Sequence, residues 1–593
     1  SERTMNSENK TCQNCKTDFT IEPEDFDFYE KIKVPPPTWC PECRMKRRMA
    51  FMNNRELYRR TCDLCGKSIM SMYPPDRKIT IYCNPCWWSD KWDGTQYAKD
   101  YDPSQPFLRQ AIDLTRATPH MALESNYPTL INSEYVNHAA TAKNCYLIFI
   151  ADECENVLYS ELLLHNKDCM DATILERAEL CYEVVNCGNS YQLFYSEDCD
   201  GCRNVYFSKD CIGCSDCFGC VGLRNKQYHI FNVPHTKEDY QQKLKEFGLD
   251  SHGNVMQLQE QARDFWRTRP HKFAHALRNV NTTGDYVYGA KNAKDMYIVS
   301  EGTEDSRYCQ VITMSGVKDS YDYSMWGNGA QRLYEAMIVG EGADSIRFAT
   351  QVWPNVRDIE YSMTVMSSSN MFGCVNMRNK QYCILNKEYS KGEYEKLRAQ
   401  IIGDMDAKPY IDSAGRRYAY GEFLPPDMSL FGYNESYAAL FFPMTREEAK
   451  AQGFSWYDAH PSSYAPTVRA EDLPRSIKDV QDSIVQEIIE CSRCKKSFRI
   501  VTAELALLRR FGLPLPRMCP NCRYAERFSR VNPPRLAKRK CECAGVSANR
   551  GKYQNTTSHF HADKPCPNEF QTSYAPDRPE IVYCEQCYNS EVA

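Results

Sequence analysis

The chain has 593 residues, 42% apolar and 25% charged, which is ordinary globular composition in too long a chain for a single core; wholesale disorder is excluded and several domains are expected. No stretch approaches the roughly 20 apolar residues that span a bilayer, and Ser1–Lys10 lacks the apolar core of a signal peptide. With 31 cysteines and no export signal, a reducing cytoplasm is the expected setting, and no membrane partner is expected.

Residues 1–100 hold two predicted zinc ribbons. In the first, Cys12-x2-Cys15 and Cys40-x2-Cys43 are separated by 24 residues; in the second, Cys62-x2-Cys65 precedes Cys83-x2-Cys86. Two thiolate pairs on tight turns, brought together across a short loop, complete a tetrahedral Zn²⁺ site with no open position for catalysis. Disulfide bonding is the alternative, but CxxC pairs in an intracellular chain more often bind metal.

Residues 101–249 and 289–403 read as two copies of one repeat region. Phe218-Gly-Cys-Val-Gly-Leu-Arg-Asn-Lys-Gln-Tyr228 matches Phe372-Gly-Cys-Val-Asn-Met-Arg-Asn-Lys-Gln-Tyr382. Within each copy, turn residues (Asn144, Asn156, Asp168 and Asp295, Asp305, Asp319 among them) precede short apolar runs at steps averaging about 12 residues. Paired into coils of about 24 residues, these steps predict a parallel β-solenoid rather than a pair of antiparallel meanders. Each copy ends in a helix with capping-box spacing, Thr236-x2-Asp239 and Ser390-x2-Glu393, placed to cover the last coil. Residues 250–288 read as a connecting helix.

The first copy also carries Cys199-x2-Cys202 followed by Cys211-x2-Cys214-x2-Cys217-x2-Cys220. Such steps resemble ligand runs for an iron–sulfur cluster, and the trailing Cys-Pro of ferredoxins is missing. Small apolar cysteines packed in stacked coils are the competing reading, favoured because the second copy retains only Cys374 as the counterpart of Cys220. A metal or redox enzyme centred on this run is therefore one functional alternative. No phosphate-binding glycine loop, Gly-x-Ser-x-Gly or His-Glu-x-x-His occurs, and no catalytic residue is assigned.

Residues 404–485, punctuated by Pro425-Pro426, Pro443 and Pro461, carry too many aromatics for a free linker. Residues 486–593 repeat the opening module. Cys491-x2-Cys494 and Cys519-x2-Cys522 are again 24 residues apart, and a fourth site is assigned to Cys541, Cys543, Cys584 and Cys587. Its first pair has lost one residue from the usual spacing, and His559, His561 or Cys566 could replace one of its members. The expected architecture is mainly β: tandem zinc ribbons at both ends, about four Zn²⁺, and a duplicated β-solenoid with short capping helices between them.

Behind equivalent knuckles lie two equivalent basic segments, each with seven Lys/Arg against one acid, on an otherwise acidic chain. The first holds Arg44, Lys46, Arg47, Arg48, Arg55, Arg59 and Arg60. The second holds Arg523, Arg527, Arg530, Arg535, Lys538, Arg539 and Lys540. Cations at this density attract a phosphate backbone, and interleaved aromatics (Phe51, Tyr58, Trp87, Trp88, Tyr524, Phe528, Tyr588) could stack on unpaired bases or pack the ribbon cores. The leading expectation is a nucleic-acid-binding scaffold, with RNA or a large ribonucleoprotein such as the ribosome as partner. The main alternative is a protein–protein adaptor or assembly protein that works through the acidic repeat region.

The paired ribbon modules and the Phe-Gly-Cys-Val-x-Leu/Met-Arg-Asn-Lys-Gln-Tyr motif resemble uncharacterised multi-zinc-ribbon proteins of small uncultivated bacteria. That resemblance spans nearly the whole chain as an order of ribbons, repeats and ribbons. It implies a bacterial cytoplasmic protein and carries no established activity.

Overall fold

From Thr141 to Asp198 every third residue has a positive φ, between 45° and 63°. This is the left-handed region, which costs a non-glycine residue about 1–2 kcal/mol and which Asn and Asp tolerate best. A corner at every third residue leaves three-residue sides, and the residue after each corner points inward. Cys145, Ile148, Ala151 and Cys154 are the inward residues of one coil, followed by Val157 at the start of the next. The computed structural model describes residues 6–460, 464–544 and 553–592.

Parallel partners lie 12 residues apart: Phe149 opposes Glu161, Ala172 opposes Val184, Leu193 opposes Val205 and Cys217 opposes His229. A coil is therefore 12 residues long, half the expected 24. The period-12 beat in the sequence was a whole turn with four corners, and no second strand was needed to complete it. Backbone groups pair from coil to coil, as in Tyr146 N–H to the Val157 carbonyl and Asn156 N–H to the Lys143 carbonyl. Corner side chains stack as ladders, Asn144 donating to Asn156 (3.2 Å) and Asn156 to Asp168 (2.8 Å). These ladders offset the strained φ values at positions where an Asn or Asp is least penalised.

The protein is mainly β, a solenoid of about 21 turns with cysteine clusters at both ends of the chain and short helices. The second solenoid half differs in period. Tyr297 opposes Gln310 and Gln331 opposes Asp344, steps of 13, before the step returns to 12 between Ser369 and Gln381. Its inward phase slips once per coil beside Gly302, Gly316, Gly329 and Gly342, all at positive φ. A Cβ on Gly316 would lie 2.9 Å from the Gly329 nitrogen, so the stacked corners accept only glycine there.

Each half closes with an antiparallel turn. Gln227–Ile230 pairs with Val233–Pro234, and Gln381–Ile384 pairs with Lys387–Glu388. The helices Lys237–Glu246 and Lys391–Ala407 follow, capped by Thr236 and Ser390 as their spacing predicted.

The chain forms two compact units, each discontinuous: residues 1–124 with 276–458, and residues 125–275 with 459–593. The N-terminal ribbons thus fold with the second solenoid half, and the C-terminal ribbons with the first. In the first unit, the helix Phe107–Ala117 sets the Phe107 ring 5.0 Å from Phe372, and Ile81–Tyr82 pairs in parallel with His120–Met121. In the second unit, Ile581–Tyr583 pairs in parallel with Pro270–Lys272, just after the helix His252–Trp266. Each of these helix–strand segments runs directly into a solenoid half that belongs to the other unit. The aromatic stretch after residue 404 is ordered, with Phe423, Phe431, Tyr433, Phe441 and Phe442 buried. Among the described residues no helix is long and apolar enough to cross a membrane.

Candidate metal centres

Three sulfur tetrads stand where the spacing placed them: Cys12, Cys15, Cys40 and Cys43; Cys62, Cys65, Cys83 and Cys86; and Cys491, Cys494, Cys519 and Cys522. In each, the third cysteine is the N-cap or lead-in of a helix that begins with or contains an early proline (Pro41–Met49, Asn84–Trp87, Pro520–Phe528). The backbone N–H of that cysteine donates to the sulfur of the first ligand at 3.2 Å in all three. The second and third sulfurs lie 3.7, 3.8 and 3.7 Å apart. A tetrahedron with metal–sulfur bonds of about 2.3 Å has edges of about 3.8 Å, so the donor set and its dimensions suit a Zn²⁺ ion. All 31 cysteines are free, and the disulfide alternative is not realised.

The fourth ribbon corrects one ligand. The sulfur tetrad is Cys541, Cys566, Cys584 and Cys587, with Cys566 in the place assigned to Cys543. Two bonds identify the equivalence. The first cysteine of each ribbon donates its N–H to the carbonyl two residues beyond the second ligand: Cys12 to Thr17, Cys62 to Lys67, Cys491 to Lys496 and Cys541 to Asn568. Likewise Cys566 and Cys584 sulfurs are 3.9 Å apart, and Cys584 N–H donates to the Cys541 sulfur at 3.1 Å. The knuckle is intact in space but interrupted in sequence, so spacing alone points to Cys543. That cysteine instead joins His559, His561 and Cys587 in a second group of four.

The cysteine run of the first solenoid half packs into the solenoid core. Cys199, Cys202, Cys211, Cys214, Cys217 and Cys220 are all buried core residues in the inward triplet phase shared with Val205 and Leu193. Each thiol donates to the carbonyl two residues before it, as Cys199 does to Glu197 (3.2 Å) and Cys214 to Ile212 (3.6 Å). Their thiols stack in columns 12 residues apart, Cys187–Cys199–Cys211 and Cys202–Cys214, and also neighbour one another within a coil, as Cys199 does Cys202 and Cys211 does Cys214. Among the described residues no metal-holding group includes them. Burial pushes up the thiols of Cys145, Cys309 and Cys383, which lie outside the run, whereas within it hydrogen bonds from neighbouring thiols hold Cys199 and Cys214 down. A triplet repeat that turns one residue in three inward generates Cys-x2-Cys by itself.

Part of each basic segment is placed differently from expectation. Arg44, Arg47 and Arg48 on the helix Pro41–Met49 are fully buried against solenoid carboxylates. Arg44 lies 3.0 Å from Asp322, Arg47 lies 2.7 Å from Glu335 and 3.0 Å from Glu422, and Arg48 lies 3.1 Å from both Asp322 and Glu335. In the other unit, Arg523 and Arg527 on Pro520–Phe528 lie 3.4 and 3.1 Å from Asp171. Glu504 holds Arg523 at 2.9 Å, and Glu183 and Glu197 hold Arg530 at 3.3 and 3.0 Å. Arg44 stacks over Tyr308 and Arg523 over Tyr159, at 5.2 and 4.9 Å. The two clamps are thus copies, with Asp322 and Asp171 each at a left-handed corner. Burial pushes the Asp171 carboxyl up to about 6 despite Arg523 and Arg527.

Of the remaining cations, Arg539 is buried and bonded to Glu542, Arg60 donates to the Pro74 and Ile79 carbonyls, and Lys46 and Arg55 are half-buried. Arg59, Arg535, Lys538 and Lys540 are exposed, the last two paired with Glu569. Phe51, Trp87, Tyr524 and Tyr588 are buried in the ribbon cores, and Tyr58, Trp88 and Phe528 are half-buried. Sequence reading could not see the clamps, because their carboxylates are scattered corner residues.

No protein-family model matches the chain, and no curated protein matches it.

Proposed function

We propose that this protein is a zinc-stabilised, non-catalytic scaffold that holds a protein partner along the polar outer face of its solenoid halves. The observation that carries this reading is the burial of Arg44, Arg47, Arg48, Arg523 and Arg527 in ion pairs with solenoid carboxylates. These five arginines act inside the molecule, fastening the first and third ribbons to their solenoid halves. Zinc is the ion that four sulfurs at these spacings suit best.

What the solenoids offer to solvent supports a protein partner. One register of the first half reads Lys143, Glu155, Lys167, Glu179, Tyr191, Arg203, Ser215 and Gln227 in successive coils. The equivalent register of the second half reads Lys291, Glu304, Lys318, Gln331, Asp344, Arg357, Ser369 and Gln381. Both rows alternate in sign and both end in Arg, Ser and Gln. Such a row neutralises itself and gives a phosphate backbone no continuous cation strip. In the second half an open groove of ≈ 510 Å³ runs along this register between Gln331 and Gln381.

The deciding experiment is affinity purification of the full chain from its own host, with and without nuclease, followed by the double substitution Asp344→Arg/Arg357→Glu. A protein that stays bound after nuclease and is lost on charge inversion supports the scaffold reading. Nucleic acid that copurifies, with affinity falling steeply as salt rises, would replace it with the RNA-binding reading.

A further inference from the structure

Cys587 belongs to both groups of metal-ligating atoms in the fourth ribbon: the sulfur tetrad with Cys541, Cys566 and Cys584, and a second group with Cys543, His559 and His561. We propose that the Cys587 thiolate bridges two Zn²⁺ ions, making this ribbon a binuclear centre. The proposal rests on the reading that the sulfur tetrads are metal-loaded, and adds a fifth ion to them.

The second group has the dimensions of a metal site. The Cys543 sulfur lies 3.3 Å from His559 Nδ1 and 3.4 Å from His561 Nε2, and His561 Nε2 lies 3.3 Å from the Cys587 sulfur. An edge between sulfur at about 2.3 Å and nitrogen at about 2.1 Å from a tetrahedral zinc is about 3.6 Å, so the four atoms already stand close to the required spacing. Their outer partners fit as well. His559 Nε2 is 2.7 Å from the Glu591 carboxylate, both side chains almost wholly buried, and His561 Nδ1 is 2.6 Å from the Lys564 carbonyl. Each imidazole thus turns one nitrogen to an acceptor and the other toward the sulfurs, the carboxylate–histidine–metal arrangement that fixes a ligating tautomer.

Charge favours two ions over one. Five thiolates around a single dication leave three uncompensated negative charges in a buried cluster, whereas two dications leave one. The sequence shows how the second site arose. The knuckle that should read Cys541-x2-Cys is opened between Cys541 and Cys566, and the opened segment carries Cys543, His559 and His561. Four protein ligands on each ion leave no open position, so the centre is structural, tying the segment back to its ribbon.

The test uses the full chain purified reduced with Zn²⁺, with metal counted by plasma mass spectrometry against quantitative amino-acid analysis. Five ions per chain are expected, falling to four in His559→Ala/His561→Ala. Four in both proteins overturns the bridged centre and leaves the four ribbon sites standing; none in either overturns the zinc reading as a whole. Should the variant fail to fold, ¹¹³Cd-substituted wild type decides alone. A shared sulfur gives two resonances split by mutual ¹¹³Cd–¹¹³Cd coupling, one in the four-sulfur range and one shifted toward mixed sulfur and nitrogen. Two uncoupled resonances, or a single set of four-sulfur signals, would overturn the bridge.

Discussion

The guanidinium of Arg527 lies 3.1 Å from the carboxylate of Asp171, with neither side chain exposed to water. In the other unit Arg48 repeats the contact with Asp322 at the same 3.1 Å. A buried ion pair is weak evidence for stability by itself, because desolvation opposes the attraction, but removing one partner strands a charge. Arg527→Met should therefore destabilise its unit by about 3–5 kcal/mol, and Arg527→Met/Asp171→Leu should recover much of the loss. Thermal denaturation read by circular dichroism checks both, and equal stability of the single variant and wild type would show that the clamp holds nothing.

Metal removal should act locally. Structural zinc contributes apparent binding energies of about 10–16 kcal/mol to ribbons that cannot fold without it. Chelation of the reduced protein should raise amide exchange in residues 12–43 and 491–522 while the coils from 145 to 220 stay protected. Uniform loss of protection would mean that the solenoid cannot stand without its ribbons.

Substituting the solenoid cysteines should separate packing from ligation. Cys214→Ala removes only a sulfur from a four-residue core layer, so the chain should fold with unchanged metal content. Cys214→Leu should cost about 1–3 kcal/mol by overpacking the same layer. A fall in bound metal or loss of visible absorbance in Cys214→Ala would return this run to the list of metal sites.

His120 supplies a pH dependence. Its ring is fully shielded, with Nε2 2.6 Å from the Thr115 carbonyl and Nδ1 3.2 Å from the Asn376 amide, and burial pushes its pKa down to about 4. The unfolded chain takes up the proton near pH 6.5, so the neutral folded form contributes stability above that value. This contribution is lost progressively as pH falls from about 6.5 to 4. Titration of the ring by NMR should show no protonation at pH 5.5, and His120→Asn should flatten the acid limb of the stability curve. A midpoint near 6.5 would contradict the burial.

Corner substitutions should follow φ. Asn156 sits at φ 54° in the ladder between Asn144 and Asp168. Asn156→Val should cost about 1–3 kcal/mol, since a β-branched residue is strongly disfavoured there, while Asn156→Gly should cost less despite losing both ladder bonds. Equal melting temperatures for the two would remove backbone strain as the governing term.

Three of the four sulfur tetrads, the duplication, the solenoid and its capping helices were legible in the residues, because each depends on spacing along the chain. Paired knuckles announce a tetrahedral site, and a twelve-residue beat announces stacking. The beat was legible without its meaning: only the left-handed corner at every third residue makes twelve residues a complete coil. The same geometry explains why Cys-x2-Cys has two meanings here, metal knuckle in the ribbons and inward triplet in the solenoid. In the sequence Cys566 stands only as a possible replacement for Cys541 or Cys543, because an interrupted knuckle keeps its shape in space and loses its spacing in sequence.

Local order along the chain therefore determined the elements: where ribbons form, where coils repeat and where helices begin. Tertiary structure alone decided which elements belong together and what the charges do. The N-terminal ribbons join the second solenoid half, and the C-terminal ribbons the first. Arg44, Arg47, Arg48, Arg523 and Arg527 are buried on carboxylates from distant coils. An arginine's sequence context fixes its charge, but whether that charge meets solvent, a phosphate or a buried Asp171 depends on residues hundreds of positions away.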